Sequence, residues 1–469
     1  MRNNIVMKIL SIIAQKPSST GSGVYLSELV RCFKEMGHEQ EIICAVYESD
    51  VVGANATAVG AKQTAVGAKQ CEPVYNKIIF NTKELPIKIA GMSDVMPYES
   101  IRYSELASDE IKLKIWMRAF DEKVREVLAR FKPDLIICHH LYLLTAMVVD
   151  IVAHAVRDDS VGASYASPKI YAICHNTDLR QYQQTDLKRD FIKENIQKLD
   201  KLLFPSKEHA EKAVELFGLD RKNVEIIGIG YNNKIFRNER NAVHIVCGDG
   251  VEKNAVHIVR GDGVGAKATA VGASLRAQVV GAKHCEPVIL LYVGKVCKKK
   301  GVLSLVKAIN ILNDENIILD IVGGAGDKAE YDEIVSESKK SKSTIKFIPP
   351  MTQDKLAIEY NRHNIFILPS FSEGIPMVPL EAMACGCKVV ISDLPGVKNF
   401  YETNVKNASI KYVELPKLTN VDEASDDELA AFEKRLASAI RESINDKKIY
   451  KPDLLKISWE SIAKKILKV

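Results

Sequence analysis

Two glutamates, Glu373 and Glu381, stand seven residues apart in the string PSFSEGIPMVPLEAMACGCKVV, from Pro369 to Val390. Leu368 ends an apolar run, Glu373 falls in the loop after it, and a helix is expected to begin near Pro376 to Pro379, because proline suits a first helical turn. Glu381 then lies in the first turns of that helix. Exposed N–H groups at a helix start attract anions, so Met377 and Val378 are placed to receive a diphosphate while the two carboxylates grip sugar hydroxyls. Taken alone, the pair has a plainer explanation, since acidic residues at a helix start are favoured by the helix dipole.

A second string, YVGKVCKKKGV from Tyr292 to Val302, puts Gly294 at a strand end and two lysines, Lys295 and Lys300, on the loop that follows. Fixed cations there suit a diphosphate that gains negative charge as it leaves. Lys298 and Lys299 read as a solvated face. Near the N-terminus, PSSTGSGV from Pro17 to Val24 offers Gly21 and Gly23, a pattern that ordinary turn chemistry also explains. His175 ends the apolar run Ile170 to Cys174 and opens the polar stretch Asn176-Thr177-Asp178, a loop position at the carboxyl end of a strand. His139 and His140 compete with it, although Leu141 to Leu144 suggest partial burial for that pair.

The elements that must position these residues alternate. A strand at Ile9 to Ile13 leads to a helix with Leu26, Leu29, Val30 and Phe33 on one face, ended by Gly37. Strands follow at Glu41 to Val46, Leu135 to Cys138, Ile170 to Cys174 and Leu202 to Phe204. A second series runs through Ile289 to Val293, a helix from Val302, and strands at Ile317 to Val322, Ile345 to Ile348, Ile365 to Leu368 and Val389 to Ile391. The alternation predicts an α/β chain with two doubly wound Rossmann-like domains, expected to face one another across a cleft.

The Pro369 to Val390 string closely resembles the donor-binding signature of glycosyltransferase family 4, a retaining family with the GT-B fold. The resemblance implies that Glu373 contacts the transferred sugar and Glu381 the ribose of the nucleotide, with the backbone through Gly374, Ile375, Met377, Val378 and Leu380 around sugar and phosphates. The family carries Arg then Lys where Lys295 and Lys300 stand; Lys295 keeps the charge without the planar fork. Gly21 and Gly23 match the family's glycine loop, which lets the backbone approach donor phosphates and acceptor. His175 matches a family histidine that touches the donor sugar. The implied co-substrate is a nucleoside diphosphate sugar, most commonly a uridine diphosphate sugar. The acceptor is left open among a glycan, a lipid-linked and a small-molecule hydroxyl. The sequence contains no Asp-x-Asp, the pair that typically holds a divalent ion on a nucleoside diphosphate, so no metal and no cofactor are expected. The domains expected are 1–228, acceptor-side; 229–287, a linker; 288–450, nucleotide-sugar-binding; and 451–469, a helix crossing back to the first domain. Sugar-nucleotide epimerase or phosphorylase activity, and binding without turnover, are the rival readings.

The 469 residues carry 65 basic and 60 acidic side chains, a balance that speaks against a nucleic-acid partner. Ile9 to Ala14 is too short and too interrupted to span a membrane, and no secretory signal is read at the start, so the expectation is a cytoplasmic protein. Peripheral contact with a membrane face stays open through basic surface patches. The ten cysteines show no zinc spacing and read as reduced, mostly buried thiols. TAVGAKQ occurs twice in tandem at 57–70, Asn241 to Val251 recurs almost unchanged at Asn254 to Val264, and VGAKQCEPV at 66–74 is nearly repeated at 280–288. These short Gly/Ala-rich copies lack the apolar residues that offset ordering entropy, and poorly ordered surface insertions derived from one mobile DNA element are expected near 51–74 and 240–287.

Overall fold

The computed structural model describes residues 6–17, 19–51, 72–92, 99–157, 167–240, 287–419 and 424–469. Most of the repetitive sequence, at 52–71 and 241–286, lies outside the described residues. The chain divides into two compact units. One comprises 1–230, 395–400 and 456–469; the other comprises 231–394 and 401–455.

The first unit is built on a seven-stranded sheet of β1 (Lys8–Ile12), β2 (Glu39–Val46), β3 (Val74–Ile79), β4 (Leu135–His139), β5 (Lys169–Ile173), β6 (Lys201–Phe204) and β7 (Val224–Ile226). Its spatial order is β3-β2-β1-β4-β5-β6-β7, and every pairing is parallel. Strand side chains alternate between faces, and the core follows that period of two. Leu10, Ile12, Ile43 and Ala45 join one large cluster with Trp116, Phe120 and Val124 of the helix Glu110–Phe131. Ile13, Ile42, Cys44 and Val46 pack on the other face against Leu26 and Val30 of the helix Gly21–Glu35. That helix stops where Gly37 adopts φ +88°, the left-handed turn that favours glycine. The C-terminal helix Trp459–Ile466 packs in this unit, where Arg31 bonds Glu460 at 3.3 Å and Lys465 donates to the Ile227 carbonyl at 3.3 Å.

The second unit repeats the plan with β8 (Val288–Val293), β9 (Ile317–Val322), β10 (Thr344–Ile348), β11 (Ile365–Leu368), β12 (Lys388–Ser392) and β13 (Ile410–Val413). Their order is β10-β9-β8-β11-β12-β13, again wholly parallel. In both units the first strand lies between a series wound one way and a series wound the other, the arrangement that opens a crevice at the strands' carboxyl ends.

Two parts of the expected linker and insertion take defined places in the fold. Val74 opens β3 and pairs with Glu41. In the segment 229–240, Phe236 is buried, and Arg240 donates to the carbonyls of Cys385 at 3.0 Å, Tyr360 at 3.2 Å and His363. A guanidinium with five donors can satisfy several carbonyls at once, which ties this stretch to the second unit. The seven described cysteines are free and buried. No helix among the described residues is long and apolar enough to cross a membrane.

Candidate functional site

In the second unit the lysine loop and the glutamate loop leave the neighbouring strands β8 and β11. Gly301 has φ +67°, and a Cβ there would come within 2.0 Å of the Pro369 carbonyl oxygen. Only glycine allows the two loops to approach so closely. The Phe371 amide donates to the Lys299 carbonyl at 3.0 Å, a backbone stitch between them. Lys300 Nζ then reaches Glu373 Oε1 at 2.6 Å, with both side chains largely shielded from water. On the other side, Val296 pairs with Ala325, and Gly323, with φ +159°, leaves no room for a Cβ beside the Gly294 carbonyl, 1.7 Å from its ideal position.

Lys295 stands near this pair. Burial, opposed by Cys297 and assisted by Lys300, brings its ammonium down to about 8. Glu381 lies in the helix Val378–Ala384 with Pro379 in its first turn, as the proline spacing implies. The carboxylate is 7% exposed and accepts from the Tyr360 hydroxyl at 3.3 Å. Burial, strengthened by Glu381, holds that phenol well above its ordinary value, so it stays a donor. The Tyr401 hydroxyl donates to the Pro376 carbonyl at 2.5 Å and fixes the turn between the two glutamates.

The other positions of the string divide by role. Leu380 is wholly buried, and its amide bonds the Met377 carbonyl at 2.9 Å. Its side chain packs in the core behind the turn. Ile375 is largely buried. Gly374, Met377 and Val378 belong to the turn that Tyr401 holds, and the helix behind it is only seven residues long.

The first unit gathers a different cluster. His175 follows β5 by two residues, and its amide bonds the Asp178 carboxylate at 3.3 and 3.2 Å. Asp178 is fully buried and also accepts from the amides of Leu141 at 2.7 Å and Leu179 at 3.1 Å. One carboxylate thus fixes the turns after both β4 and β5. His139 and His140 are partners of His175 as well as its competitors in sequence. His139 Nδ1 is 3.1 Å from His175 Nε2, and the His140 ring lies 4.7 Å away at 55°. Burial lowers all three imidazoles, His175 to about 3. Neither ring nitrogen of His140 has a hydrogen-bond partner among the described residues.

Gly21 and Gly23 lie in the first turn of the helix Gly21–Glu35 rather than in a loop. The Gly23 amide donates to the Thr20 hydroxyl at 3.1 Å, a side-chain cap. A Cβ on Gly21 would meet nothing within 4 Å, so its backbone does not require glycine. Tyr25, one turn on, sets its ring edge-on to His175 at 5.4 Å.

Among the described residues one group has metal-ligating types close together: Asp320, Glu359 and His363. His363 Nε2 meets Asp320 at 3.0 Å and its Nδ1 faces the Glu359 carbonyl at 2.5 Å. The Glu359 carboxylate lies 4.0 Å from the same Nδ1, so both ring nitrogens have partners within the group.

Residues 277–426 match the family described as glycosyl transferases group 1. The matched segment falls almost wholly within the second unit. A D-inositol 3-phosphate glycosyltransferase from Streptomyces bingchenggensis is 24% identical over 65% of this chain and 60% of its own length. The matches to the first three curated relatives cover between 27% and 60% of their lengths. Among solved structures, the sucrose-phosphate synthase of Thermosynechococcus elongatus superposes with a TM-score of 0.57 at 18% identity, covering 98% of both chains. Anabaena Alr3699/HepE in complex with UDP and glucose gives 0.52 at 12% identity, again over 98% of both. These likenesses establish the fold, which is GT-B. The matched segment contains Lys295, Lys300, Glu373 and Glu381, whereas His175, Gly21 and Gly23 belong to the first unit.

Tyr360, Tyr401 and Asp178 escaped the sequence reading. Tyr360 precedes the glutamate string by a strand, and Tyr401 follows it by a strand and a turn. Only tertiary packing returns them to it.

Proposed function

We propose that this chain is a retaining, metal-independent glycosyltransferase that moves a sugar from a nucleoside diphosphate sugar, most simply a uridine diphosphate sugar, to a hydroxyl acceptor. The observation that carries the reading is the stitched pair of loops in the second unit, where two lysines and two glutamates gather at the carboxyl ends of β8 and β11. Lys300 has three N–H donors, so it can hold Glu373 and a phosphate oxygen together. Lys295 adds a second cation, and the two take the place of a divalent ion in stabilising the diphosphate as charge develops on it. Glu373, oriented by Lys300, accepts from hydroxyls of the sugar. Glu381, oriented by Tyr360, accepts from the ribose.

In the transfer, the bond between the anomeric carbon and the diphosphate oxygen breaks while the acceptor oxygen bonds the same face of that carbon. The acceptor proton passes to a phosphate oxygen of the leaving group. Neutral His175 contributes a hydrogen bond to the sugar. Anabaena HepE, crystallised with UDP-glucose, supports the donor class by likeness of fold alone.

The test is a panel of nucleotide sugars, assayed for donor turnover with and without excess chelator, with the anomeric configuration of the product read by NMR. Turnover that survives chelation and keeps the donor's anomeric configuration is the expected result. Complete, metal-reversible loss of turnover, or inversion, overturns the corresponding part of the reading.

A further inference from the structure

The imidazole of His175 is held chiefly by another imidazole. His139, the last residue of β4, is 3% exposed. Its ring lies within 12° of parallel to that of His175, centroids 5.3 Å apart, with Nδ1 and Nε2 in hydrogen-bond contact. Tyr25 sets its edge against both rings, at 6.2 and 5.4 Å. Tyr25 is itself fixed by its hydroxyl on the Gly228 carbonyl at 3.2 Å and by the Trp459 ring at 4.6 Å. Behind His175, His140 adopts φ +77°, a conformation uncommon outside glycine and costly unless its surroundings impose it.

Two neutral imidazoles that share one hydrogen bond have one proton at the contact. If His139 Nδ1 carries it, His175 accepts through Nε2 and must hold its own proton on Nδ1. If His175 Nε2 carries it, the Nδ1 of His175 is a bare acceptor. Either way the tautomer of His175 is tied to that of His139, because a ring nitrogen's state is set by the bond its partner nitrogen makes.

We propose that His139 is a positioning residue for glycosyl transfer, fixing the ring plane and the tautomer of His175 so that one defined nitrogen meets the sugar hydroxyl. The proposal rests on the reading of His175 as a sugar-contacting group. His139 acts through His175 and need not touch substrate. Its role differs from a packing role in one respect: an asparagine, whose amide can reach the position of Nδ1, replaces the hydrogen bond without replacing the ring.

The experiment combines tautomer assignment with turnover. Long-range proton–nitrogen spectra of the full chain, labelled at histidine, report which nitrogen of His175 carries the proton. Turnover is measured with the most active nucleotide sugar of the panel. A single tautomer is expected in the unsubstituted chain and mixed tautomers in His139→Ala. His139→Ala is expected to lower kcat up to about tenfold, the scale of one lost hydrogen bond, with the donor KM changed less than about twofold, and His139→Asn to recover most of the loss. A mixed tautomer in the unsubstituted chain overturns the proposal with no variant needed. Wild-type turnover in His139→Ala, with His175→Ala impaired, overturns it while sparing the role of His175. Wild-type turnover in His175→Ala, with Glu373→Ala inactive, removes that role and the proposal with it.

Discussion

The two polar clusters stand on the same topology, at the carboxyl ends of parallel strands wound from a central first strand, yet they handle charge in opposite ways. In the first unit burial strips three imidazoles of their charge, and what remains is a set of neutral hydrogen-bonding groups fixed by ring contacts and by Asp178. In the second unit burial acts on Lys295 too, but from a much higher starting value, so at neutral pH the ammonium survives beside Lys300 and Glu373. The same desolvation therefore leaves a neutral hydrogen-bonding cluster in one unit and a charged cluster in the other. The difference follows from residue type more than from depth of burial.

That contrast can be broken by deletion. Lys300→Ala and Glu373→Ala are expected to lower kcat/KM by about 100-fold or more, the scale of losing one preorganised electrostatic contact to the transition state. His175→Ala, which removes a neutral hydrogen bond, is expected to cost about tenfold. Steady-state kinetics on folded variants check the order. An equal loss in both units would mean that charge does not divide the work.

A backbone change tests whether the charged cluster depends on its stitched loops. Gly301→Ala forces a side chain into a positive-φ position and against the Pro369 carbonyl. A loss of at least about 1 kcal/mol in stability is expected, with donor affinity falling in step. Chemical denaturation and a donor titration measure the two effects.

Smaller and more diagnostic effects come from pH. In the unliganded chain Lys295 loses its proton near pH 8, and an anionic donor favours the charged form. Donor binding should therefore take up a proton as pH rises through about 8, visible as a buffer-dependent calorimetric enthalpy, and Lys295→Arg should abolish the uptake. The sign reverses for stability: between about 8 and the ordinary lysine value the unfolded chain binds more protons, so Lys295 makes the fold more stable as pH rises there. His175 works over another window. Its folded value of about 3 lies below the ordinary 6.5, so the unfolded chain binds more protons between them and stability falls as pH drops through that range. Denaturation midpoints in His175→Asn should show a shallower acid loss, and the kcat profile should lack a histidine limb near 6.5.

Much of the frame was legible because strong apolar runs bounded by turn residues leave few alternatives. Ile317–Val322 and Ile365–Leu368 occur as strands with the boundaries read from sequence, and the helix expected from Val302 begins there. The strands missed are edge or short ones. Val74 and Tyr75 of β3 are exposed, β7 has three residues, and half-buried β13 gives no continuous apolar signal. At the site, the types and spacing of Glu373, Glu381, Lys295 and Lys300 were readable, since each motif is local. The Lys300–Glu373 bond, the Tyr360 and Tyr401 supports and the His139–His175 contact join residues that only the sheet order brings together.

The central claim is that the lysines and glutamates of the second unit hold a nucleoside diphosphate sugar. Calorimetric titration of the full chain with UDP-glucose and with UDP tests it most directly, beside Lys300→Ala and Glu381→Ala of proven fold. Saturable one-site binding, weakened about tenfold or more by Lys300→Ala for both ligands and by Glu381→Ala through the ribose, is the result expected. Binding that neither substitution disturbs would place the nucleotide elsewhere and contradict the account.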